Sequence, residues 1–231
     1  MKPYYSDESV TLYRGDCLEV TDWLEADVLV TDPPYGMALR SSRNGAFGDN
    51  LIASDDNTEA RDTALAYWRN PDPYFAELPD RPALIFGRWS VPRPVGTRMV
   101  LTWEKGEHVG MGDLRLPWKP NTEEVYVLGT GFTGRRGGSV LRHLAIAGTV
   151  GQAAKGTRRH PTEKPQGLMS ELIDKCPPGV IADPFAGSGS TLVAARNLGR
   201  KAIGVELEER YCEVIANRLS QGVLDFGEVA P

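Results

Sequence analysis

The sequence predicts an α/β fold in which a largely parallel sheet is covered by helices on both faces. Seven short runs rich in β-branched residues indicate buried strands, because their apolar character is continuous rather than alternating. Amphipathic helical patterns lie between the runs, and this alternation is typical of a parallel sheet. The chain has 231 residues, 41% of them hydrophobic and 25% charged, which suits a folded domain. We therefore expect a single domain over residues 1–231.

The predicted strands are runs of three to five residues with high β-propensity. They cover residues 10–13, 27–31, 83–86, 99–103, 125–128, 180–182 and 202–205. Apolar residues at helical spacing predict four helices, which begin near Thr58, Pro165, Thr191 and Glu208. Gly199 follows the third helix, at the position where a left-handed residue commonly ends one.

The composition excludes several classes of protein. No apolar run approaches the roughly 18 residues of a membrane span, and the first residues do not resemble a secretory signal. The three cysteines, Cys17, Cys176 and Cys212, are far apart, and the three histidines are scattered. This spacing predicts neither a disulfide framework nor a metal site, and it suits the reducing cytoplasm.

Charge is segregated along the chain, although the net charge is only −5. Residues 1–62 contain five basic and thirteen acidic side chains, whereas residues 131–164 contain seven basic side chains and one acidic side chain. A basic segment of this kind is either a solvated loop or a surface that attracts an anionic partner. Two long stretches without strong periodicity, residues 36–57 and 129–160, are where we expect substrate contacts.

A glycine turn follows the sixth predicted strand, in the sequence Asp183-Pro-Phe-Ala-Gly-Ser-Gly-Ser-Thr191. Glycines let a ligand approach the backbone closely, and the helix that follows favours negative charge at its N-terminus. Leu192 stands where a dehydrogenase fingerprint requires a third glycine. Glu206 ends the next strand, about twenty residues on, where a carboxylate can bind ribose hydroxyls. The pattern predicts a site for a nucleoside cofactor.

A second motif, Asp32-Pro33-Pro34-Tyr35, directly follows the second predicted strand. The two prolines remove two backbone donors, which leaves carbonyl oxygens without local partners beside the Asp32 carboxylate. Two such acceptors match the two N–H bonds of a planar amino group, and Tyr35 offers a flat face on which a base can stack. A plain Pro-Pro loop is the alternative, but it does not explain the acidic and aromatic neighbours.

Together, these two motifs resemble those of the DNA amino-methyltransferases, which use S-adenosylmethionine, and their order resembles the β group of that family. Three further segments are similar to family motifs, and the matches extend from about residue 10 to 219. These segments are Gly15-Asp16-Cys17, His160-Pro-Thr-Glu-Lys-Pro165 and residues 204–211.

The resemblance implies a Rossmann-like methyltransferase fold: a central seven-stranded, mostly parallel sheet, circularly ordered so that the cofactor glycine turn lies near the C-terminus. It implies S-adenosylmethionine as cofactor, with Glu206 at the ribose, Asp16 at the adenine, and Thr162 and Lys164 near the methionine carboxylate. The full implied set for the cofactor is Asp16, Cys17, Asp32, Thr162, Lys164, Asp183, Phe185, Ala186, Gly187, Ser188, Gly189 and Glu206.

The resemblance also implies a reaction and a partner. The catalytic residues would be Asp32, Pro33, Pro34 and Tyr35, acting on the N6 amine of an adenine flipped out of double-stranded DNA. The short basic segment is expected to read a short target, and its candidate DNA-binding residues are Arg135, Arg136, Arg142, Arg158 and Arg159.

Several alternatives stay open at this point. One is methylation of cytosine N4, although members with that specificity more often carry serine where Asp32 stands. RNA methylation and a non-catalytic DNA-binding relic are two further alternatives. A homodimer is expected only from the family, and a restriction partner is left open.

Overall fold

The computed structural model describes residues 1–34, 58–70, 80–107, 109, 112–146 and 163–221. Within these residues nine strands form one sheet, in the order β1-β2-β9-β8-β3-β4-β6-β5-β7. The strands are β1 Tyr5–Ser6, β2 Val10–Arg14, β3 Val28–Thr31, β4 Ala83–Gly87, β5 Met99–Glu104, β6 Thr122–Leu128, β7 Val140–Arg142, β8 Ile181–Asp183 and β9 Ala202–Glu206.

The middle of the sheet is parallel. Strands β2, β9, β8, β3 and β4 run in one direction, and β6 lies antiparallel between β4 and β5. The carboxyl ends of the parallel strands therefore share one edge of the sheet, which we call the carboxyl edge, and the opposite edge is the amino edge. Because β6 is reversed, it begins at the carboxyl edge, where β5 and β7 end.

All seven predicted strands are present, and they form the contiguous block from β2 to β5 in the sheet order. The sheet is wider than predicted because two short strands extend it. Strand β1 pairs antiparallel with β2, and β7 pairs parallel with β5. These strands have two and three residues, which is too short for a periodic signal in the sequence.

The predicted helices are also present: α1 Glu59–Arg69, α2 Gln166–Asp174, α3 Ser190–Asn197 and α4 Glu209–Ser220. A short 3-10 helix over Asp22–Glu25 is additional. Helix α2 follows Pro165, whose extended backbone and missing N–H suit a helix start. Gly199 has a φ of +68° after α3, which confirms it as the residue that ends this helix.

Two apolar clusters cover the two faces of the sheet. One contains Leu168, Leu192 and Ile215 from α2, α3 and α4. The other includes Trp23 and Trp68, from the 3-10 helix and α1, whose rings stack with centroids 6.1 Å apart. Burial of each such side chain stabilises the fold by about 1.5–3 kcal/mol. Helices on both faces, over a mostly parallel sheet, confirm the predicted fold class.

Two further observations concern the described part of the chain only. None of its helices has the length and apolar character needed to cross a bilayer. Its His, Cys, Asp and Glu side chains form no group of three that could hold a metal ion.

Candidate active site

Four acidic residues lie at or just beyond the carboxyl ends of four adjacent strands. Asp16 comes two residues after β2, Glu206 ends β9, Asp183 ends β8 and Asp32 follows β3. These strands are neighbours in the order β2-β9-β8-β3, so the four residues are arranged along the carboxyl edge. The sequence predicted each of them as a site residue, and the sheet brings them to one place.

Glu206 joins the end of β9 to the glycine turn after β8. Its Oε2 accepts a hydrogen bond from the Gly187 N–H at 2.8 Å, and its Oε1 accepts one from the Glu208 N–H at 2.8 Å. The side chain is buried, and this burial raises the pKa of Glu206 to about 7 in spite of the two N–H donors. The site thus holds a carboxylate that titrates close to neutral pH.

The glycine turn has a backbone conformation that glycine adopts without strain and other residues do not. Gly189 has a φ of +78°, and a Cβ there would lie 2.8 Å from Cγ1 of Ile215 on α4. The carbonyl of Ser188 accepts a hydrogen bond from Nη1 of Arg218 at 2.6 Å. The turn is therefore fixed by helix α4 behind it. Ala186 and Ser188 are buried, and Phe185 and Gly187 are partly buried.

Asp183 is buried beneath this turn. Its Oδ1 accepts hydrogen bonds from the Thr31 hydroxyl at 2.7 Å and from the Phe185 N–H at 3.2 Å. Burial raises the pKa of Asp183 to about 6, and hydrogen bonds from Thr191 and Thr31 oppose that rise. Asp183 thus connects β8 to β3, the strand that leads into the Pro-Pro turn.

Asp32 is held by a buried ammonium group. Lys164, directly before Pro165 and α2, forms an ion pair with Oδ2 of Asp32, and its Nζ lies 3.4 Å from Oε2 of Glu123 on β6. Burial would lower the pKa of Lys164, but the two carboxylates hold it above its ordinary value. The resemblance implies that Lys164 lies near the methionine carboxylate of the cofactor, which stays a prediction; in the structure its ammonium group pairs with Asp32 and Glu123.

The other predicted site residues that the structure describes differ in how far they are buried. Asp16 is exposed, and its Oδ1 accepts a hydrogen bond from the Leu18 N–H at 2.9 Å. Cys17 is buried, which raises the pKa of its thiol to about 12, and it packs as a small neutral side chain. Pro33 is buried and Pro34 is partly buried beside Asp32. The other predicted residues, Tyr35, Thr162, Arg158 and Arg159, lie outside the described residues.

Among the described residues of the basic segment, the arginines lie at two different ends of the sheet. The carbonyl of Arg135 accepts a hydrogen bond from Nζ of Lys175, which follows the last turn of α2 toward the amino edge. Arg135 and the exposed Arg136 are therefore at the end of the sheet opposite Asp32. Arg142 ends β7 at the carboxyl edge, where its Nε lies 3.1 Å from Oε2 of Glu104.

Sequence reasoning missed Glu123, Glu163 and Arg218. Glu163 and Arg218 form a buried ion pair at 3.3 Å, which ties the segment before α2 to α4. Glu123 precedes the apolar run that defined the predicted strand. Glu123 and Arg218 stand beside apolar patterns, where a charge needs a partner if it is buried, but the sequence does not show which partner the fold supplies.

Comparison with known proteins shows the family and the fold of this chain. Residues 107–218 match the N6_N4_Mtase family model, described as DNA methylase. The type II methyltransferase M2.LlaDCHI of Lactococcus lactis subsp. cremoris is 33% identical over 255 residues, covering 96% of this chain and 93% of the relative.

Solved structures share the fold. The M1.HpyAVI–SAM complex matches with a TM-score of 0.61 at 22% identity, covering 91% of this chain and 98% of that chain. The PvuII DNA methyltransferase (cytosine-N4-specific) matches with a TM-score of 0.65 at 18% identity, covering 94% and 88%. Identity to the L. lactis relative over nearly the full length of both chains, together with the family match, shows that this chain belongs to the N6/N4 family of DNA methylases.

Proposed function

We propose that this chain methylates the N6 amino group of adenine in double-stranded DNA. One observation carries the proposal: the Asp32 carboxylate, which begins the Pro-Pro turn, is held by Lys164 at the same sheet edge as Asp183 and Glu206. A group able to accept an N–H bond thus lies at the same sheet edge as the carboxylates that we assign to binding the nucleoside part of the cofactor.

S-adenosylmethionine is the cofactor, and it supplies a methyl group activated by a sulfonium sulfur. The side chains at the carboxyl edge fit it chemically. Glu206 is a buried carboxylate that can accept hydrogen bonds from ribose hydroxyls, and Asp16, beyond the neighbouring strand, can accept one from an adenine amino group. The Phe185–Gly189 turn follows β8, on the other side of Glu206 from Asp16, and presents backbone groups next to Glu206. The protein's own contribution is to bind and orient the reactants.

Asp32 and the Pro33 carbonyl would act on the target amine. The lone pair of an exocyclic adenine amine is delocalised into the ring, so the free amine is a poor nucleophile. Two acceptors that take its two N–H bonds shift the nitrogen toward tetrahedral geometry and direct the lone pair away from the ring. Orientation of this kind contributes several kcal/mol to lowering a barrier. The nitrogen then loses a proton during or after transfer.

The target base must leave the duplex to reach this edge. Extrusion of a base costs a few kcal/mol, and stacking on an aromatic side chain returns about 1–3 kcal/mol. Tyr35 follows Pro34 in the chain and is the residue we assign to this stacking. Adenine is favoured over cytosine because Asp32 stands where N4-specific members more often carry serine. Methylation of cytosine N4 is the second candidate.

Arg142 is the DNA-contacting residue that the fold favours among the described arginines of the basic segment. It lies at the carboxyl edge, where the target base must arrive, whereas Arg135 and Arg136 lie toward the amino edge. If Arg142 contacts a phosphate, Arg142→Ala should weaken DNA binding and reduce the dependence of affinity on salt by about one charge. Arg135→Ala is the matched control, and an equal effect of both variants would contradict this assignment.

The decisive experiment is methyl transfer from labelled S-adenosylmethionine to DNA, followed by separation of the labelled nucleosides. We expect N6-methyladenine, and we expect Asp32→Ala to lower the rate by about 100-fold or more while cofactor affinity stays within a few-fold. Asp80→Ala, which breaks an exposed ion pair with Arg98, is the control. Full activity of Asp32→Ala would remove Asp32 from the mechanism, and label on cytosine would establish N4 specificity.

A further inference from the structure

We propose that Glu123 is a positioning residue for Asp32 and acts through the Lys164 ammonium that the two carboxylates share. This inference rests on the proposed function, because the role of Asp32 as acceptor for the target amine comes from it. Glu123 itself lies on β6, outside the motifs that identify the family, and reaches the site only through the fold.

Four charged groups of alternating sign form a line into the site. Asp32 pairs with Lys164, whose Nζ lies 3.4 Å from Oε2 of Glu123, and Oε1 of Glu123 lies 2.5 Å from Nζ of Lys105. The line begins at the catalytic carboxylate and ends at Lys105, just after β5. Lys164 is the innermost cation, with 5% of its side chain exposed. The aromatic ring of Phe86 closes one side, with its centroid 4.8 Å from Nζ.

Glu123 is charged in this environment. Burial would raise the pKa of Glu123, but Lys164 and Lys105 together hold it below its ordinary value. Its side chain is 19% exposed, so water screens these contacts far less than it screens a surface ion pair. The two carboxylates therefore interact with the same ammonium group. The negative charge of Glu123 partly offsets the positive charge of Lys164 and so weakens the electrostatic stabilisation of the Asp32 carboxylate.

The alternation of side chains along β6 explains why Glu123, and not Glu124, contacts Lys164. Successive side chains of a strand point to opposite faces. Glu123 meets Lys164 and Lys105, whereas Glu124 pairs with Arg93 at 2.8 Å. The two glutamates are consecutive in sequence, but only one of them is part of the charged line.

The sharing of Lys164 has two consequences of opposite sign. Without the Glu123 charge, the ammonium acts on Asp32 alone, so Asp32 keeps its negative charge to lower pH and becomes a weaker acceptor for the amine. Without the Lys105 charge, Glu123 draws more strongly on Lys164, and Asp32 gains its proton at higher pH. A merely structural role would not produce opposite effects.

The test is the single-turnover rate of methyl transfer as a function of pH in Glu123→Gln and Lys105→Met. We expect the midpoint that belongs to Asp32 to move to lower pH in Glu123→Gln and to higher pH in Lys105→Met, by about half a pH unit each. The midpoints of Asp183 and Glu206, whose pKa values burial raises to about 6 and about 7, should stay in place in both variants. The maximal rate of Glu123→Gln should fall about tenfold, with KM for the cofactor unchanged within twofold. Glu124→Gln is the matched control, with neither change expected.

A second measurement needs no methyl transfer. The pH midpoint of the Asp32 carboxyl resonance, assigned with Asp32→Asn in selectively labelled protein, should move in the same two directions. Midpoints that stay fixed in both variants, or that move the same way, would overturn the inference while leaving the proposed function intact. If the wild-type chain methylates no DNA but the midpoints move as expected, the proposed function fails and the charge coupling stands.

Discussion

The free energy of unfolding should fall as the pH rises from 5 to 8, and Glu206 should account for about 2 to 3 kcal/mol of the fall. Burial raises the pKa of Glu206 from 4.5 to about 7, so the folded protein keeps a proton that the unfolded chain has already released. Each unit of such a shift corresponds to about 1.4 kcal/mol. Because the folded state binds more protons in this interval, stability decreases with rising pH.

Urea unfolding at pH 5, 6, 7 and 8, followed by tryptophan fluorescence, would measure this difference. Glu206→Ala loses the hydrogen bonds to Gly187 and Glu208 at every pH, so its stability is offset from wild type throughout. The difference between wild type and variant should nevertheless shrink by about 2 to 3 kcal/mol from pH 5 to pH 8. Glu209→Ala is the control, since Glu209 forms a half-exposed ion pair with Arg14 at 2.9 Å. Parallel pH curves for wild type and Glu206→Ala would refute the reasoning.

Two other predictions concern the frame of the site. Gly189→Ala should destabilise the fold by about 3 kcal/mol, because the added Cβ strains a left-handed backbone and also contacts Ile215. Gly199→Ala has a similar φ but no neighbour within 4 Å, so it should cost only about 1 kcal/mol. Equal melting temperatures of the two variants would contradict the packing argument. Thr31→Val removes a hydrogen-bond donor to the Asp183 carboxylate and should cost about 1–2 kcal/mol of stability at pH 8. The cost should be smaller at pH 5, where Asp183 is protonated, and urea unfolding at the two pH values would measure the difference. A cost that does not depend on pH would exclude this linkage.

The sequence predicted the central sheet because the strands there are buried on both faces. Continuous apolar runs and helical stripes are local signals, and all seven predicted strands and four predicted helices are present in the structure. The two short strands at the sheet ends carry no such signal. Residues 140–142 form β7 because β5 offers an unpaired edge, and that edge exists only after the sheet has formed.

The site was partly predictable for the same reason. Asp32, Asp183 and Glu206 each follow or end a strand, and parallel strands bring their carboxyl ends together. Ion pairing between distant segments was not predictable, because it depends on which side chains the fold buries side by side. Glu123 stands at the polar start of a strand, and nothing local indicates that Lys164, 41 positions later in the sequence, will share its charge with Asp32.

The described arginines of the basic segment show that neighbours in sequence can lie at opposite ends of the sheet. Arg135 and Arg142 are seven positions apart, yet Arg135 lies beside Lys175, just after α2, and Arg142 lies at the opposite end of the sheet, where β7 ends. A short connection can cross the full length of a sheet, so a basic stretch does not by itself define one surface.

The order of the strands has a consequence for synthesis of the protein on the ribosome. Strands β2 and β3 emerge early, but they are not neighbours, because β9 and β8 lie between them. A nascent chain that has not yet reached residue 206 therefore has an open gap at the centre of its sheet. Strands β3, β4, β6, β5 and β7 can pair without β8 and β9, but β1 and β2 cannot join them. Premature termination before β8 would therefore leave the sheet in two separate parts.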